Sequence, residues 1–216
     1  MLMNALKNGK GFTLWFTGLS GAGKSTNAYH VYMELKRRGL KVELLDGDII
    51  RMNFSQGLGF SKTDRDINIR RIGFVSYLLN KNDIISIAAA ISPYKETRDL
   101  NRRLIENYIE VFCDCPLEVL EKRDPKGLYK RARAGEILNF TGVSDPYEPP
   151  ENPEIVLRTG EETVPDSFWR VITYLEARRL VPLRSECRYG DWSYEEEIEA
   201  RKHLVALGFA VYEDKQ

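Results

Sequence analysis

The residues of this chain that could do chemistry begin with Gly18-Leu19-Ser20-Gly21-Ala22-Gly23-Lys24-Ser25-Thr26, which matches the spacing of a phosphate-binding P-loop in full. The run before it, Phe12-Thr13-Leu14-Trp15-Phe16-Thr17, is apolar enough to read as a buried strand, so the glycines fall where a strand passes into a helix. Glycines let backbone N–H groups converge on phosphate oxygens without a Cβ in the way, and a helix opening near Gly23 adds the positive end of its dipole. Lys24 would bring a point charge to the β- and γ-phosphates, and the Ser25 hydroxyl would serve Mg²⁺. Handling of a nucleoside triphosphate is the chemistry implied. A glycine-rich turn that only joins strand to helix is the rival, and the agreement of pattern with context disfavours it.

A second set of candidates lies further along. Asp46-Gly47-Asp48 follows an apolar run, with Arg51 one helical turn beyond Asp48. A carboxylate there could orient an attacking hydroxyl or take its proton, and Asp46 could instead meet hydrated Mg²⁺ through water. A turn with a helix N-cap would use the same residues. In Gly59-Phe60-Ser61-Lys62-Thr63-Asp64-Arg65, Ser61 or Thr63 can cap the next helix, and Phe60 stands exposed before it. Arg65 and Asn68, three apart, share a face and could grip an anionic, hydroxyl-bearing ligand. Arg70 and Arg71 read as solvated surface. Ile91-Ser92-Pro93-Tyr94-Lys95 breaks a strand, and Ser92 offers either a reactive hydroxyl or a plain turn before proline. Lys122, Arg123, Lys126, Lys130, Arg131 and Arg133 are concentrated enough to close over phosphates, and Phe140 in the same stretch is suited to stacking on a base.

Positioning these residues calls for alternating strands and helices, the pattern of βαβ units around a parallel sheet. Strands are expected near 12–17, 41–45, 84–89, 108–113 and 154–158. Helices are expected over 24–38 with a stop at Gly39, over 63–80, over 96–107, from Pro116, and over 164–180. Between 124 and 153 periodicity gives way to glycine, proline and basic residues, which predicts either a functional lid or a disordered stretch. A further amphipathic helix is expected over 193–207. The fold class is therefore α/β: three layers, a mostly parallel sheet of about five strands flanked by helices, and a short helical C-terminal extension. One domain over 1–180 is expected, with an appendage over 181–216.

Composition narrows the partners. Thirty-two Lys and Arg balance thirty-two Asp and Glu in 216 residues, so no global field draws the chain to nucleic acid or to a membrane surface. No run is apolar enough to span a bilayer and no cleavable leader is evident, so a soluble, cytoplasmic protein is expected. The three cysteines lack zinc or Cys-x-x-Cys spacing, and Cys113 and Cys115 read as small core residues.

Taken in order, these segments closely resemble adenylylsulfate kinase. The likeness covers about residues 10–180. It is carried by residues 18–26, Leu-Asp-Gly-Asp at 45–48, Gly-Phe-Ser at 59–61, Asn-Ile-Arg-Arg at 68–71 and Ile-Ser-Pro-Tyr at 91–94. It continues through Lys-Gly-Leu-Tyr-Lys at 126–130, Ala-Arg-Ala-Gly-Glu-Ile at 132–137, Phe-Thr-Gly at 140–142 and Pro-Pro-Glu-Asn-Pro-Glu at 149–154. The resemblance implies transfer of the ATP γ-phosphate to the 3′-hydroxyl of adenosine 5′-phosphosulfate, with Mg²⁺ as cofactor and a homodimer as assembly. It implies that Arg51, Phe60, Arg65, Asn68, Ile91, Lys126, Leu128 and Phe140 contact the acceptor, its adenine lying between Phe60 and Phe140. It further implies that Asp48 orients or deprotonates the hydroxyl, and that Ser92 matches a serine discussed as a phosphorylation site. Direct in-line transfer is preferred. The chain departs from the family at Ile49-Ile50, where asparagine and an apolar residue are usual, and at Ala89-Ala90-Ile91-Ser92-Pro93-Tyr94-Lys95, where Ser-Phe-Ile-Ser-Pro-Tyr-Arg is usual. A kinase of another nucleotide-linked acid, such as a cytidine diphosphate derivative, and a non-catalytic ATP-binding regulator are the alternatives.

Overall fold

The computed structural model describes residues 11–187. Five strands, β1 (Thr13–Thr17), β2 (Val42–Asp46), β3 (Ile85–Ala89), β4 (Tyr108–Cys113) and β5 (Ile155–Leu157), form one parallel sheet in the order β2-β3-β1-β4-β5. Parallel strands need crossovers, and here these are helices that cover both faces. They are α1 (Lys24–Arg37), α2 (Gly47–Asn53), α3 (Lys62–Lys81), α4 (Lys95–Leu104), α5 (Leu117–Arg123), α6 (Leu128–Arg133) and α7 (Val164–Ala177).

The alternation of β1 builds two cores. Leu14 and Phe16 face α1 and α7, packing with Val31, Leu35, Val171 and Leu175. Trp15 points the other way, onto Ile69 and Ile72 of α3 and onto Tyr108. Every β1 residue is buried, which is why the strand reads as an unbroken apolar run. Cys113 and Cys115 lie in the first core as free thiols, as their spacing implied.

The helix ends follow local chemistry. Ser61, rather than Thr63, caps α3: its Oγ accepts the Asp64 N–H at 3.2 Å. After α1, Gly39 takes φ 74 and donates to Lys36 O at 2.8 Å, while Leu40 N–H reaches Leu35 O at 3.1 Å. The α4 helix stops at Leu104, short of the expected 107, because Ile105 is buried in extended backbone leading into β4. Likewise α7 ends at Ala177 rather than 180, with Arg179 at φ 56 and Leu180 N–H folded back onto Leu175 O at 3.0 Å. A Thr163–Asp166 capping box starts α7.

Within the stretch read as structureless, Leu128–Arg133 forms α6. Both carboxylate oxygens of Asp124 cap it, accepting the Tyr129 and Lys130 N–H groups at 3.1 and 3.0 Å. At the start of the expected appendage, Val181 is buried and Pro182 O accepts Arg38 Nη1 at 2.8 Å, so 181–187 packs on the core. The helix expected over 193–207 lies outside the described residues. Among the described residues no helix is long and apolar enough to cross a membrane.

Candidate active site

A cleft of about 300 Å³ opens beyond the carboxyl ends of β1, β2 and β3, where open parallel sheets hold their ligands. Ser20, Gly21, Gly23, Lys24, Ser25 and Thr26 form one wall. Gly18 makes the turn out of β1 at φ 145, and a Cβ there would come within 2.6 Å of Cys113 O. Gly23 stands at φ 78 as the α1 N-cap, without a side-chain cap hydrogen bond, which leaves first-turn N–H groups for an anion. Leu19 and buried Ala22 complete the loop through the Ala22 N–H to Leu19 O bond of 3.2 Å.

Lys24 Nζ donates to Leu19 O at 2.7 Å. Burial pushes its ammonium pKa down to about 8, and the attraction of Cys113, Asp48 and Asp46 recovers only part of the loss. The Cys113 thiol is itself pushed up to about 12 by burial and stays neutral, so the attraction felt by the ammonium comes from Asp48 and Asp46. Ser25 Oγ donates to Asp46 Oδ2 at 2.7 Å, and Asp46 Oδ1 accepts the Asp48 N–H at 2.9 Å. Asp46 therefore is the α2 N-cap and the partner of the P-loop hydroxyl at once, so the two readings of Asp-Gly-Asp hold together. Asp48, its side chain 75% exposed, faces Lys126 Nζ at 3.2 Å across the cleft mouth. Ile91, Leu128 and the small residues Ala89 and Ala90 line the same cleft.

The other acceptor candidates form an adjoining cluster. Phe60 is 57% exposed, with the Arg51 guanidinium 4.3 Å from its ring centroid and that of Arg65 at 5.6 Å. Arg51 also donates to Gly59 O. Burial, then repulsion from Arg65, lowers the Arg51 pKa below its ordinary value. Arg65 ties the two aromatic segments together: Nε donates to Phe60 O at 3.0 Å and Nη2 to Asn139 O at 2.5 Å. Phe140 is buried, its ring edge-on to Tyr129 at 5.1 Å. Asn68 is only 5% exposed, and its Oδ1 has no hydrogen-bond partner.

Ser92 is not brought into the cleft. It is 1% exposed at φ 50, and its Oγ accepts Trp15 Nε1 at 2.9 Å on the opposite core. Burial and that hydrogen bond, rather than a turn before proline alone, occupy the hydroxyl. Of the basic cluster only Lys126 lines the cleft. Arg131 and Arg133 pair with Glu136 and Glu121, and Arg123 donates to Thr159 O at 2.9 Å.

Residue-by-residue reading passed over Tyr129, which lines the cleft and donates its hydroxyl to Ser20 O at 2.8 Å. It also passed over Tyr94, whose hydroxyl donates to Asp145 Oδ2 at 2.7 Å and is pushed up to about 12, by burial first and then by that carboxylate. An aromatic in a glycine-flanked basic stretch, Lys-Gly-Leu-Tyr-Lys, was the available signal for Tyr129.

The family model described as Adenylylsulphate kinase matches residues 10–158. An adenylyl-sulfate kinase of Halothermothrix orenii is 54% identical over 185 residues, covering 86% of this chain and 100% of the relative. The Mycobacterium tuberculosis APS kinase CysC, solved in complex with AMPPNP and APS, is 44% identical with TM-score 0.74, the match covering 77% of this chain and 98% of that one. A hexameric APS kinase from Thiobacillus denitrificans is 37% identical with TM-score 0.62, covering 81% of this chain and 30% of its own. With the phosphate cradle, the Ser25–Asp46 pair and the sheet order already in hand, the chain belongs to the adenylylsulfate kinase family of phosphotransferases.

Proposed function

We propose that this cleft moves the γ-phosphoryl group of ATP onto the 3′-hydroxyl of adenosine 5′-phosphosulfate by direct in-line transfer, giving 3′-phosphoadenosine 5′-phosphosulfate and ADP. The observation that carries the reading is the convergence of Lys24, the Ser25–Asp46 pair and Asp48 on one cleft, with the linked aromatics at its edge. The P-loop N–H groups and Lys24 bind the donor phosphates; a phosphate oxygen takes the place of Leu19 O as the partner of Lys24. Asp48 accepts the hydrogen bond of the attacking hydroxyl and sets its direction. Lys126 shields the charge that accumulates across from Asp48.

The donor set at Ser25 and Asp46 suits Mg²⁺: two oxygen ligands, one of them charged, 2.7 Å apart beside the phosphate wall. Magnesium is commonly held by one or two protein oxygens, substrate phosphates and water, and when bound it neutralises charge on the β- and γ-oxygens. On the acceptor side, Phe60 and Phe140 flank the adenine, Arg51 and Arg65 meet the phosphosulfate anion, and the unpartnered Asn68 Oδ1 accepts from the ligand. Ile91 and Leu128 give apolar contact, and Ser92 supports the loop rather than carrying phosphate. Self-association, expected as a homodimer, is supported by the hexameric relative.

The test is mass-spectrometric detection of product from purified protein, Mg²⁺, ATP and adenosine 5′-phosphosulfate, with other nucleotidyl acceptors in parallel. One added phosphate on adenosine 5′-phosphosulfate, lost with Asp48→Asn, is the expected result. Preference for another acceptor would leave the donor chemistry standing and refute the acceptor assignment.

A further inference from the structure

Tyr129 touches both halves of the site at once. Its hydroxyl donates to Ser20 O of the phosphate loop at 2.8 Å, and its ring packs edge-on against Phe140 at a centroid distance of 5.1 Å and an interplanar angle of 83°. A second contact runs alongside: a Cβ at Gly142, two residues past Phe140, would sit 2.8 Å from Leu19 Cδ2. The α6 helix that carries Tyr129 is fixed by Asp124 and presents Leu128 to the cleft. Tyr129 is nearly fully buried, and burial raises its phenol pKa, so it stays an O–H donor at working pH.

The peptide it holds is one that would otherwise turn easily. Gly21 has φ 74, and a glycine flanking a peptide lowers the cost of rotating that unit. A trans peptide is planar, with C=O and N–H pointing opposite ways. Fixing Ser20 O on Tyr129 therefore fixes the direction of the Gly21 N–H as well, in the loop that walls the cleft.

We infer that Tyr129 is a positioning residue that couples the two substrates: its hydroxyl fixes the Ser20-Gly21 peptide of the ATP cradle while its ring backs Phe140, the platform for the acceptor's adenine. This rests on the acceptor side proposed above. A ligand that draws either loop onto itself moves the one side chain that the other loop rests on, so each substrate tightens binding of the other. Such coupling is reciprocal by linkage.

The experiment is titration calorimetry of the full chain with AMPPNP, alone and at saturating adenosine 5′-phosphosulfate, and the converse titration, for wild type and Tyr129→Phe. This substitution keeps the ring and its packing, so adenosine 5′-phosphosulfate alone should bind within about twofold of wild type, while AMPPNP alone should weaken by about two- to ten-fold as the Ser20-Gly21 peptide is released. In wild type the second ligand should tighten the first by about five-fold or more, equally in both directions. In Tyr129→Phe that factor should fall toward one. With saturating ATP the variant should show a raised acceptor KM and a smaller change in kcat, a split that general loss of stability would not produce. Equal coupling in both proteins, or no coupling in wild type, overturns the inference. If wild type fails to phosphorylate adenosine 5′-phosphosulfate at all, the acceptor reading falls and takes the inference with it; if it turns over and only the coupling is unmoved, the inference alone falls.

Discussion

The donor side of the cleft is made from one short stretch of backbone, residues 18–26, whereas the acceptor side proposed above would be made from side chains that arrive from separate segments around Arg51, Phe60 to Asn68, Lys126 and Phe140. The first reads only what all triphosphates share, because N–H groups and one ammonium recognise phosphate and nothing else. The second can read a particular base and a particular anion, because its contacts are stacking faces, guanidinium forks and an amide oxygen. It also starts from a different condition. Arg51 and Arg65 already bond the backbone near Phe60 and Phe140, so an acceptor exchanges contacts there one for another, while the uncapped start of α1 offers donors with no side-chain competitor.

Asp48→Asn tests the seam between the two sides and carries the largest effect. It should lower kcat by about 10²–10⁴. ATP affinity, measured by calorimetry, should stay within about threefold; near-normal turnover would remove Asp48 from the chemistry. Phe60→Ala should separate the sides next. Acceptor binding should weaken by about 1–3 kcal/mol with ATP affinity unchanged, and unchanged acceptor affinity would end the stacking assignment.

A pH series sharpens the donor side alone. Phosphate binding raises the pKa of Lys24 from about 8 back toward its ordinary value, so binding takes up a proton above pH 8. ATP affinity should be flat below about pH 8 and fall by up to about tenfold per unit above it. Proton uptake at pH 9, read by calorimetry in buffers of different ionisation heat, should vanish in Lys24→Met. The smallest effect is expected from Ser92→Ala. Its hydroxyl serves Trp15 in the core, so thermal unfolding should register a loss of about 1 kcal/mol and a change in tryptophan fluorescence, with kcat altered less than about threefold. A complete loss of turnover with folding intact would restore a chemical role.

The same contrast decides what could be read from the residues. The P-loop and β1 are legible because strand, glycines, Lys24 and Ser25 are contiguous, and the helix stop at Gly39 is local too. Asp46 was read two ways from sequence because its two oxygens do two jobs. The α6 helix was hidden because six residues are too few to show a period; it is held by the Asp124 cap and by burial of Tyr129 and Ala132 rather than by propensity. The partner of Ser92 is illegible for a long-range reason. Whether its hydroxyl meets a ligand or Trp15 depends on β1 pairing with β3, where Trp15 sits opposite Ala88. The Arg65 link to Asn139 is of the same kind, since nothing near either residue announces the other.

The central position of β1 has a consequence for the protein during its own synthesis. Thr13 pairs on one side with Ser86 and on the other with Tyr108, so the strand from which the P-loop hangs gains its first neighbour only with β3 and its second only with β4. The nucleotide-binding segment is thus made before both of the strands that flank it. A ribosome-bound chain halted before β4 carries every P-loop residue with β1 flanked on one edge only, and the strand that pairs its other edge, Tyr108–Cys113, is still missing.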